Sequence, residues 1–212
     1  SKYEDRLIAQ IETNPKFIQP ETRRNEIKGV LKAGLKDISI SRSSVEWGIP
    51  LPFDSSQNIY VWVEALCNYV TALDYYQHGD LYHKFWPANV HMMAKEIIRF
   101  HVVIWPAMLM AVEHPLPERI FAHGWMTKDG EKISKTTGNV IDIDGLIDDF
   151  GLDPFRYFFM REFSFGSDGD YTQERFETRY NADLANDLGN LVQRVLTIIC
   201  LLYTSPSPRD RG

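Results

Sequence analysis

Cysteine is scarce in this chain, with only Cys67 and Cys200 among its 212 residues. The two stand far apart and form no C-x-x-C pair, which excludes a zinc knuckle and a disulfide framework. So few cysteines indicate a reducing compartment, and we expect the cytoplasm. The chain also lacks an apolar run long enough to cross a bilayer and an opening signal segment, so we expect no membrane association.

An excess of basic residues is also absent, because the formal net charge is −6 at pH 7. A nonspecific nucleic-acid binder needs a broad basic surface, so that class of protein is excluded. An enzyme that touches RNA through a few local groups remains compatible with this charge balance. The chain does have 44% hydrophobic and 13% aromatic residues, which is typical of a globular protein with a substantial core.

Apolar periodicity and turn residues predict alternating helices and strands. We predict helices over residues 3–13, 21–34, 95–110 (kinked at Pro106) and 173–199. We predict strands over residues 36–42, 59–63, 89–94 and 119–122, with the second running into a helix at Glu64. Residues 76–88 are expected to form a connection, and Asp142 or Asp144 is expected to cap a short helix that ends at Gly151.

The segment with the most chemical information covers residues 123–139. Asp129-Gly130 is a tight-turn signal, and Lys132 and Lys135 follow it. Gly138-Asn139 can supply a positive φ and free backbone N–H groups. Two mobile cations and several donors at the mouth of a sheet suit a polyphosphate. The alternative is a solvated hairpin with two lysines, which a bare K-x-S-K pattern would favour.

The five residues Lys132-Ile133-Ser134-Lys135-Thr136 resemble the KMSKS signature of class I aminoacyl-tRNA synthetases. With His123-Gly124-Trp125 upstream and Gly138-Asn139-Val140 downstream, the chain is similar to the methionyl-tRNA synthetase family over about residues 3–199. This resemblance implies an α/β fold, namely the C-terminal half of a Rossmann-like class I synthetase catalytic domain followed by the start of an α-helical anticodon-binding domain.

The same resemblance divides the chain into five parts. They are the end of a connective insertion (1–40), the second half of the nucleotide-binding catalytic domain (41–150), a linker or stem-contact region (151–172), the first helix of the anticodon-binding domain (173–200) and a tail (201–212). The tail is rich in Ser, Pro and Arg, so we expect it to be disordered and foreign to the gene.

The resemblance also implies roles for individual residues. Catalytic roles fall on Lys132, Lys135, Arg42 and Glu96. ATP binding falls on Lys132, Ile133, Ser134, Lys135, Thr136, His123 and Gly124. Methionine binding falls on Trp62, Ala65, Tyr69, Ile97 and His101, and contact with the tRNA anticodon falls on Asn190 and Arg194. Without the family, plainer interpretations stay open: core aromatics for Trp62 and Tyr69, a satisfied core histidine for His101, a strand-end arginine for Arg42, and a solvated helix face for Asn190 and Arg194.

The implied activity is that of a methionine–tRNA ligase that uses ATP with Mg²⁺ and acts on tRNA(Met). We expect no metal ligands and no zinc site in this stretch. Ala94 replaces the family's Gly and Glu96 its Asp, at the strand end where a doubly wound sheet binds its ligand. The second class I signature, H-I-G-H or a near variant, is absent, so we expect the chain alone to be inactive.

Two rival functions are open at this point. One is a class I synthetase for leucine, isoleucine, valine or cysteine. The set of Trp62, Tyr69 and His101 argues against the branched-chain enzymes, and the lack of thiolate ligands argues against a cysteine enzyme. The other is a non-catalytic RNA-binding or assembly module derived from a synthetase, against which the intact Lys132–Lys135 loop argues.

Overall fold

The chain divides into two units, Ser1–Gly124 and Trp125–Gly212. This computed structural model describes residues 2–77 and 79–204. The division between Gly124 and Trp125 does not coincide with any of the domain boundaries that the resemblance implies. Those boundaries stay predictions.

The first unit alternates helices and strands, as the sequence predicts. Its elements in chain order are α1 (Glu4–Thr13), β1 (Ile18–Gln19), α2 (Glu21–Lys32), β2 (Ser41–Arg42), β3 (Pro50–Leu51), β4 (Asp54–Ile59), α3 (Val61–Thr71), α4 (Asp80–Phe85), β5 (His91–Ala94), α5 (Trp105–Ala111) and β6 (Ile120–His123). Two 3₁₀ turns, Tyr75–Gln77 and Lys95–Ile97, and a π-helical segment, Phe100–Ile104, lie between them.

A parallel sheet with the strand order β1-β6-β5 forms the centre of this unit. One core cluster joins α1, α2, this sheet and the π-helical segment, and it includes Leu7, Ile27, Val102 and Ile120. A second cluster lies between α3, α4 and α5 and includes Leu66, Trp86 and Trp105. Strands β2, β4 and β3 form a separate antiparallel sheet in that order.

The second unit consists of a small sheet and a set of helices. Its elements are β7 (Met126–Lys128), β8 (Glu131–Lys132), α6 (Ile143–Phe150), α7 (Leu152–Glu162), β9 (Gly169–Tyr171), α8 (Gln173–Arg179), a π-helical segment (Tyr180–Leu188) and α9 (Gly189–Thr204). Strand β7 pairs with β8 as an antiparallel hairpin and with β9 in parallel. The core is largely aromatic, with Leu146, Phe158, Tyr171 and Phe176 buried.

Several predicted helices and caps are confirmed. Helices α1 and α2 lie where the periodicity places them, and Gly34 follows α2 with a φ of 81°. Asp142 caps α6 by accepting a hydrogen bond from the Gly145 N–H, and Gly151 follows this helix with a φ of 90°. Helical structure from residue 173 onward is also confirmed, although it continues to Thr204, five residues beyond the predicted end at residue 199 and into the tail that was expected to be disordered. Residues 205–212 of the expected tail lie outside the described residues.

Other predicted boundaries are wrong. The run from Ile59 to Val63 is not a strand, because β4 ends at Ile59 and α3 begins at Val61. The prediction failed because a short apolar, β-branched run has no periodicity that distinguishes a strand from a helix. Of the strand predicted over residues 36–42, only Ser41 and Arg42 pair with a neighbour. The predicted connection over 76–88 contains α4.

The single helix predicted over residues 95–110 is confirmed as a continuous helical run from Lys95 to Ala111, whose geometry changes from 3₁₀ to α, to π and back to α. Pro106 is the second residue of α5, which directly continues the π-helical segment, so this proline lies inside the helical run. A proline lacks the backbone N–H that a helix interior requires, and helices commonly depart from regular geometry next to one. The π-helical segment before it is a local widening of the kind that is frequent at functional sites.

Candidate active site

Helix α3 brings three predicted methionine-binding residues onto one face. Trp62, Ala65 and Tyr69 are separated by three and four residues, which is the spacing that repeats on one side of a helix. If Trp62 lay in the predicted strand, helical spacing would not align it with Ala65 and Tyr69. Its position in α3 places all three side chains on one face.

His101 is buried, with 3% of its surface exposed. Burial lowers the pKa of His101, while its hydrogen bond to the Ile97 carbonyl opposes the shift, so the ring is neutral near pH 7. Its Nδ1 lies 3.1 Å from the Ile97 carbonyl oxygen, which can only accept, so Nδ1 carries the proton. Nε2 is therefore an acceptor, and the Tyr69 hydroxyl donates to it at 2.8 Å.

The Tyr69 hydroxyl remains a donor because burial raises the pKa of Tyr69. Trp62 completes the arrangement on the other side of His101, with ring centroids 6.4 Å apart in an edge contact. Four of the five predicted methionine-binding residues, Trp62, Tyr69, Ile97 and His101, are thus joined by direct contacts. Ala65 shares their helix face.

Trp62, Tyr69 and His101 form an aromatic cluster with three further side chains that the sequence did not predict: Phe100, His91 and Trp105. Phe100 stacks on Trp62 with ring centroids 3.9 Å apart. Trp105 donates its indole N–H to Nε2 of His91 at 3.2 Å, and the His91 ring lies 4.1 Å from that of Tyr69. His91 could have been found as a histidine at an inward position of a buried strand. Trp105 could have been found from its spacing of four residues after His101.

The carboxyl ends of the parallel strands carry another group of predicted residues. Ala94 at the end of β5 pairs with His123 at the end of β6, and the turn that follows β5 contains Glu96. The His123 ring donates from Nδ1 to the carbonyl of Gly124 at 2.8 Å. Glu96 and His123 are exposed. This edge is where a doubly wound sheet binds ligands.

Arg42 lies at the end of β2 and is held by two kinds of contact. Its guanidinium lies over the Tyr60 ring at 3.7 Å from the centroid, and its Nη1 donates to the carbonyls of Ser39 and Ser41 at 2.9 and 2.7 Å. Tyr60 directly precedes α3, so the arginine is fixed beside the start of the helix that carries Trp62.

The predicted tight turn in the second unit is confirmed. Asp129 and Gly130 have φ values of 55° and 76°, the combination of positive φ that a two-residue type I′ hairpin turn requires. Lys132 ends β8, and the chain then forms a loop that is closed by pairing between Ser134 and Asn139. We call residues 132–139 the lysine loop. Within it Lys132, Lys135 and Thr136 are exposed, whereas Ile133 and Ser134 are half-buried.

Asp170, which sequence reasoning assigned only to a linker, holds the turn of this hairpin. Its Oδ1 accepts a hydrogen bond from the Thr127 hydroxyl at 2.6 Å and another from the Gly130 N–H at 2.8 Å. These bonds lower the pKa of Asp170 below its ordinary value. The two partners lie 40 and 43 residues away in the chain, so no local pattern could reveal the contact.

Asn190 and Arg194 lie one turn apart on α9, and both side chains are exposed. They share one face with Gln193, Thr197 and Ile198 around a shallow depression. The predicted residues therefore fall into three groups: the aromatic cluster and strand ends of the first unit, the lysine loop of the second unit, and the exposed face of α9.

Groups of three or more His, Cys, Asp or Glu side chains suited to a metal ion are absent from residues 2–77 and 79–204. Within those same ranges, none of the helices is both long enough and apolar enough to span a membrane.

The family model described as "tRNA synthetases class I (M)" matches residues 1–196. The chain belongs to this family. A curated relative from Clostridium acetobutylicum, named methionine–tRNA ligase, is 56% identical over 201 residues, which cover 94% of this chain and 31% of the relative. A relative of the same name from Brucella suis is 55% identical over 199 residues, which cover 94% of this chain and 39% of the relative.

Solved structures agree with this membership. Mycobacterium tuberculosis methionyl-tRNA synthetase in complex with methionyl-adenylate superimposes with a TM-score of 0.82 at 49% identity, over 94% of this chain and 40% of that one. The free form of the same enzyme gives a TM-score of 0.79 at 46% identity, over 94% and 39% of the two chains. The chain thus has the class I synthetase fold, and it spans between 31% and 39% of the length of the two curated relatives.

Proposed function

We propose that the chain is part of a methionine–tRNA ligase. The observation that carries the proposal is the neutral Tyr69–His101 pair beside the stacked rings of Trp62 and Phe100. A thioether is polarizable and gains about 0.3–1.5 kcal/mol from each favourable contact with an aromatic ring. A cluster of rings with a neutral imidazole suits an apolar side chain that contains sulfur, and it does not suit a charged one.

In the proposed reaction, a carboxylate oxygen of methionine attacks the α-phosphorus of ATP. A bond forms between this oxygen and phosphorus, and the bond to pyrophosphate breaks. A ribose hydroxyl at the end of tRNA(Met) then attacks the acyl carbon and releases AMP. Such chemistry asks the protein mainly for positioning and for stabilisation of developing charge.

We propose for the named residues the roles that the family resemblance implies. Lys132 and Lys135, exposed on the lysine loop, are proposed to hold the phosphates of ATP, which enters as its Mg²⁺ complex. Ile133, Ser134 and Thr136 shape that loop, and His123 and Gly124 at the end of β6 are proposed to contact the nucleotide. Arg42 and Glu96 are proposed to act at the edge of the catalytic site.

The finer architecture is part of the proposal. We infer that residues 41–150 belong to the C-terminal half of a Rossmann-like catalytic domain, residues 1–40 to the end of an inserted domain, and residues 151–172 to a stem-contact linker. The helical residues 173–200, which comprise α8, the π-helical segment and most of α9, are proposed to begin the anticodon-binding domain, with Asn190 and Arg194 facing the tRNA. Both cysteines are free, which supports a reducing compartment such as the cytoplasm.

A chimeric ligase tests the proposal. In this chimera, residues 3–199 replace the matching segment of the Clostridium acetobutylicum relative, to which the chain is 56% identical. We expect methionine-dependent exchange of pyrophosphate into ATP, at a rate of about 1 per second or more, and methionylation of tRNA(Met). The 212-residue chain alone serves as the control and is expected to show no exchange. A folded chimera that binds tRNA but activates no amino acid would instead support a non-catalytic module.

A further inference from the structure

The side chain of Asn139 lies at the centre of the lysine loop. Its Nδ2 is within hydrogen-bonding distance of three backbone carbonyl oxygens: those of Lys128 at 3.2 Å, Lys132 at 3.3 Å and Glu131 at 3.5 Å. Its backbone carbonyl accepts the N–H of Ser134 at 2.9 Å. One residue therefore contacts the backbone on both sides of Ile133.

We propose that Asn139 is a positioning residue for Lys132, an inference that rests on the proposed function. Asn139 acts through the backbone: the amide fixes the Lys132 carbonyl, and the Asn139 carbonyl fixes the next turn of the loop at Ser134. The Lys132 side chain is exposed and has four rotatable bonds, so its direction towards a phosphate depends on how well its backbone is held.

The chemistry of an amide suits this place. Carbonyl oxygens only accept hydrogen bonds, and the Asn side chain offers two N–H donors. An aspartate has nearly the same size and shape but offers no donor when ionised, and it would place a negative charge beside the carbonyl oxygens of Lys128, Glu131 and Lys132. The exchange of Asn139 for Asp therefore removes the contacts while leaving the volume unchanged.

Gly138 makes this arrangement possible. It adopts a φ of 75°, in the left-handed region that favours glycine, and its N–H donates to the Lys135 carbonyl at 3.4 Å. This reversal of the chain returns Asn139 to the base of the loop, where the pairing with Ser134 closes it.

The chimeric ligase provides the test. A misplacement of about 1 Å at a catalytic group can cost about 100-fold in rate. We therefore expect Asn139→Asp to lower kcat for pyrophosphate exchange by about that factor while the KM for methionine stays within about twofold, because methionine binding is assigned to the first unit. Asn139→Ala, which removes the donors without adding charge, should act in the same direction. Asn186→Asp, which adds the same charge at an exposed position of the second unit, is the matched control.

A double-mutant cycle separates positioning from a general loss of structure. If Asn139 acts through Lys132, then Asn139→Asp should add little to Lys132→Ala, and the double variant should lose about 100-fold rather than about 10⁴-fold. Amide hydrogen exchange can be measured on the 212-residue chain by itself, without the chimera. There the Ser134 N–H should exchange faster in the Asn139→Asp variant than in the parent chain.

Independent, multiplicative losses in the cycle would overturn the inference, as would a kcat that Asn139→Asp leaves unchanged. If the parental chimera is active, either result refutes only the positioning role of Asn139 and leaves the proposed function intact. An inactive parental chimera would refute the proposed function itself, so the two failures are distinguishable.

Discussion

Acidification should destabilise the first unit through His91. This side chain is 4% exposed, accepts a hydrogen bond from Trp105, and packs against the rings of Tyr69 and Trp86. Burial, together with the nearby His101, lowers the pKa of His91 from its ordinary value of 6.5 to about 4. The unfolded chain, in which the ring is solvated, therefore binds more protons than the folded chain between these two pH values.

The sign and the size follow from this linkage. Because the folded pKa is lowered, the His91 contribution is constant above about pH 6.5, falls as the pH drops towards about 4, and changes no further below that. A shift of about 2.5 units corresponds to about 3 kcal/mol in full, of which about 2 kcal/mol is lost by pH 5. His101, whose pKa burial also lowers, acts in the same direction.

Urea unfolding of the 212-residue chain at about pH 7.5 and about pH 5, followed by tryptophan fluorescence, measures this loss. His91→Gln keeps an acceptor for Trp105 but cannot be protonated in this range, so its loss on acidification should be smaller by about 2 kcal/mol. His83→Gln, at an exposed position, is the control. If His91→Gln retains the full pH dependence of the parent, His91 is not the buried neutral base that its contacts indicate.

Three further predictions concern the chimeric ligase. Lys135→Ala should slow pyrophosphate exchange by about 10²–10³, the usual cost of removing one preorganised donor to a transition state, with methionine affinity retained. Trp62→Ala should raise the KM for methionine and weaken selection against methionine analogues, since it removes the ring that stacks on Phe100; unchanged kinetics would make Trp62 a plain core residue. Arg194→Ala should leave exchange intact and raise the KM for tRNA in the charging assay, and full anticodon discrimination in this variant would contradict its role.

The parts of the fold that were predictable are those whose signal is local. Helices α1 and α2 each carry a repeating apolar pattern, and β6 is a short buried apolar run. Asp129-Gly130 and Gly138 are turns whose positive φ is a local requirement. The failures have physical causes as well. Around Trp62 a short apolar run fits more than one structure, and packing against distant elements decides between them. Along residues 36–42 the sequence alternates as a half-buried strand does, but Ile38 and Ile40 are exposed, so the alternation does not mark a buried face.

The same distinction between local and distant signals applies to the candidate site residues. Trp62, Tyr69 and His101 were recognisable because a family pattern marks them, and helical spacing then explains why they meet. Asp170 has no such mark, because its bond to the Gly130 N–H joins residues that are 40 positions apart. Such contacts are set by the pairing of β7 with β9 and not by any composition of the segment around residue 170.

The aromatic cluster of the first unit and the lysine loop of the second unit differ in their electrostatics. In the aromatic cluster, burial keeps the two imidazoles of His91 and His101 neutral, so the cluster offers contact without charge. On the lysine loop, Lys132 and Lys135 are exposed, and Asn139 is hydrogen-bonded to the backbone of Lys132 and Ser134. Under the proposed function, the uncharged methionine side chain would need a shaped apolar surface such as the aromatic cluster, and the polyphosphate of ATP would need mobile cations such as those of the lysine loop.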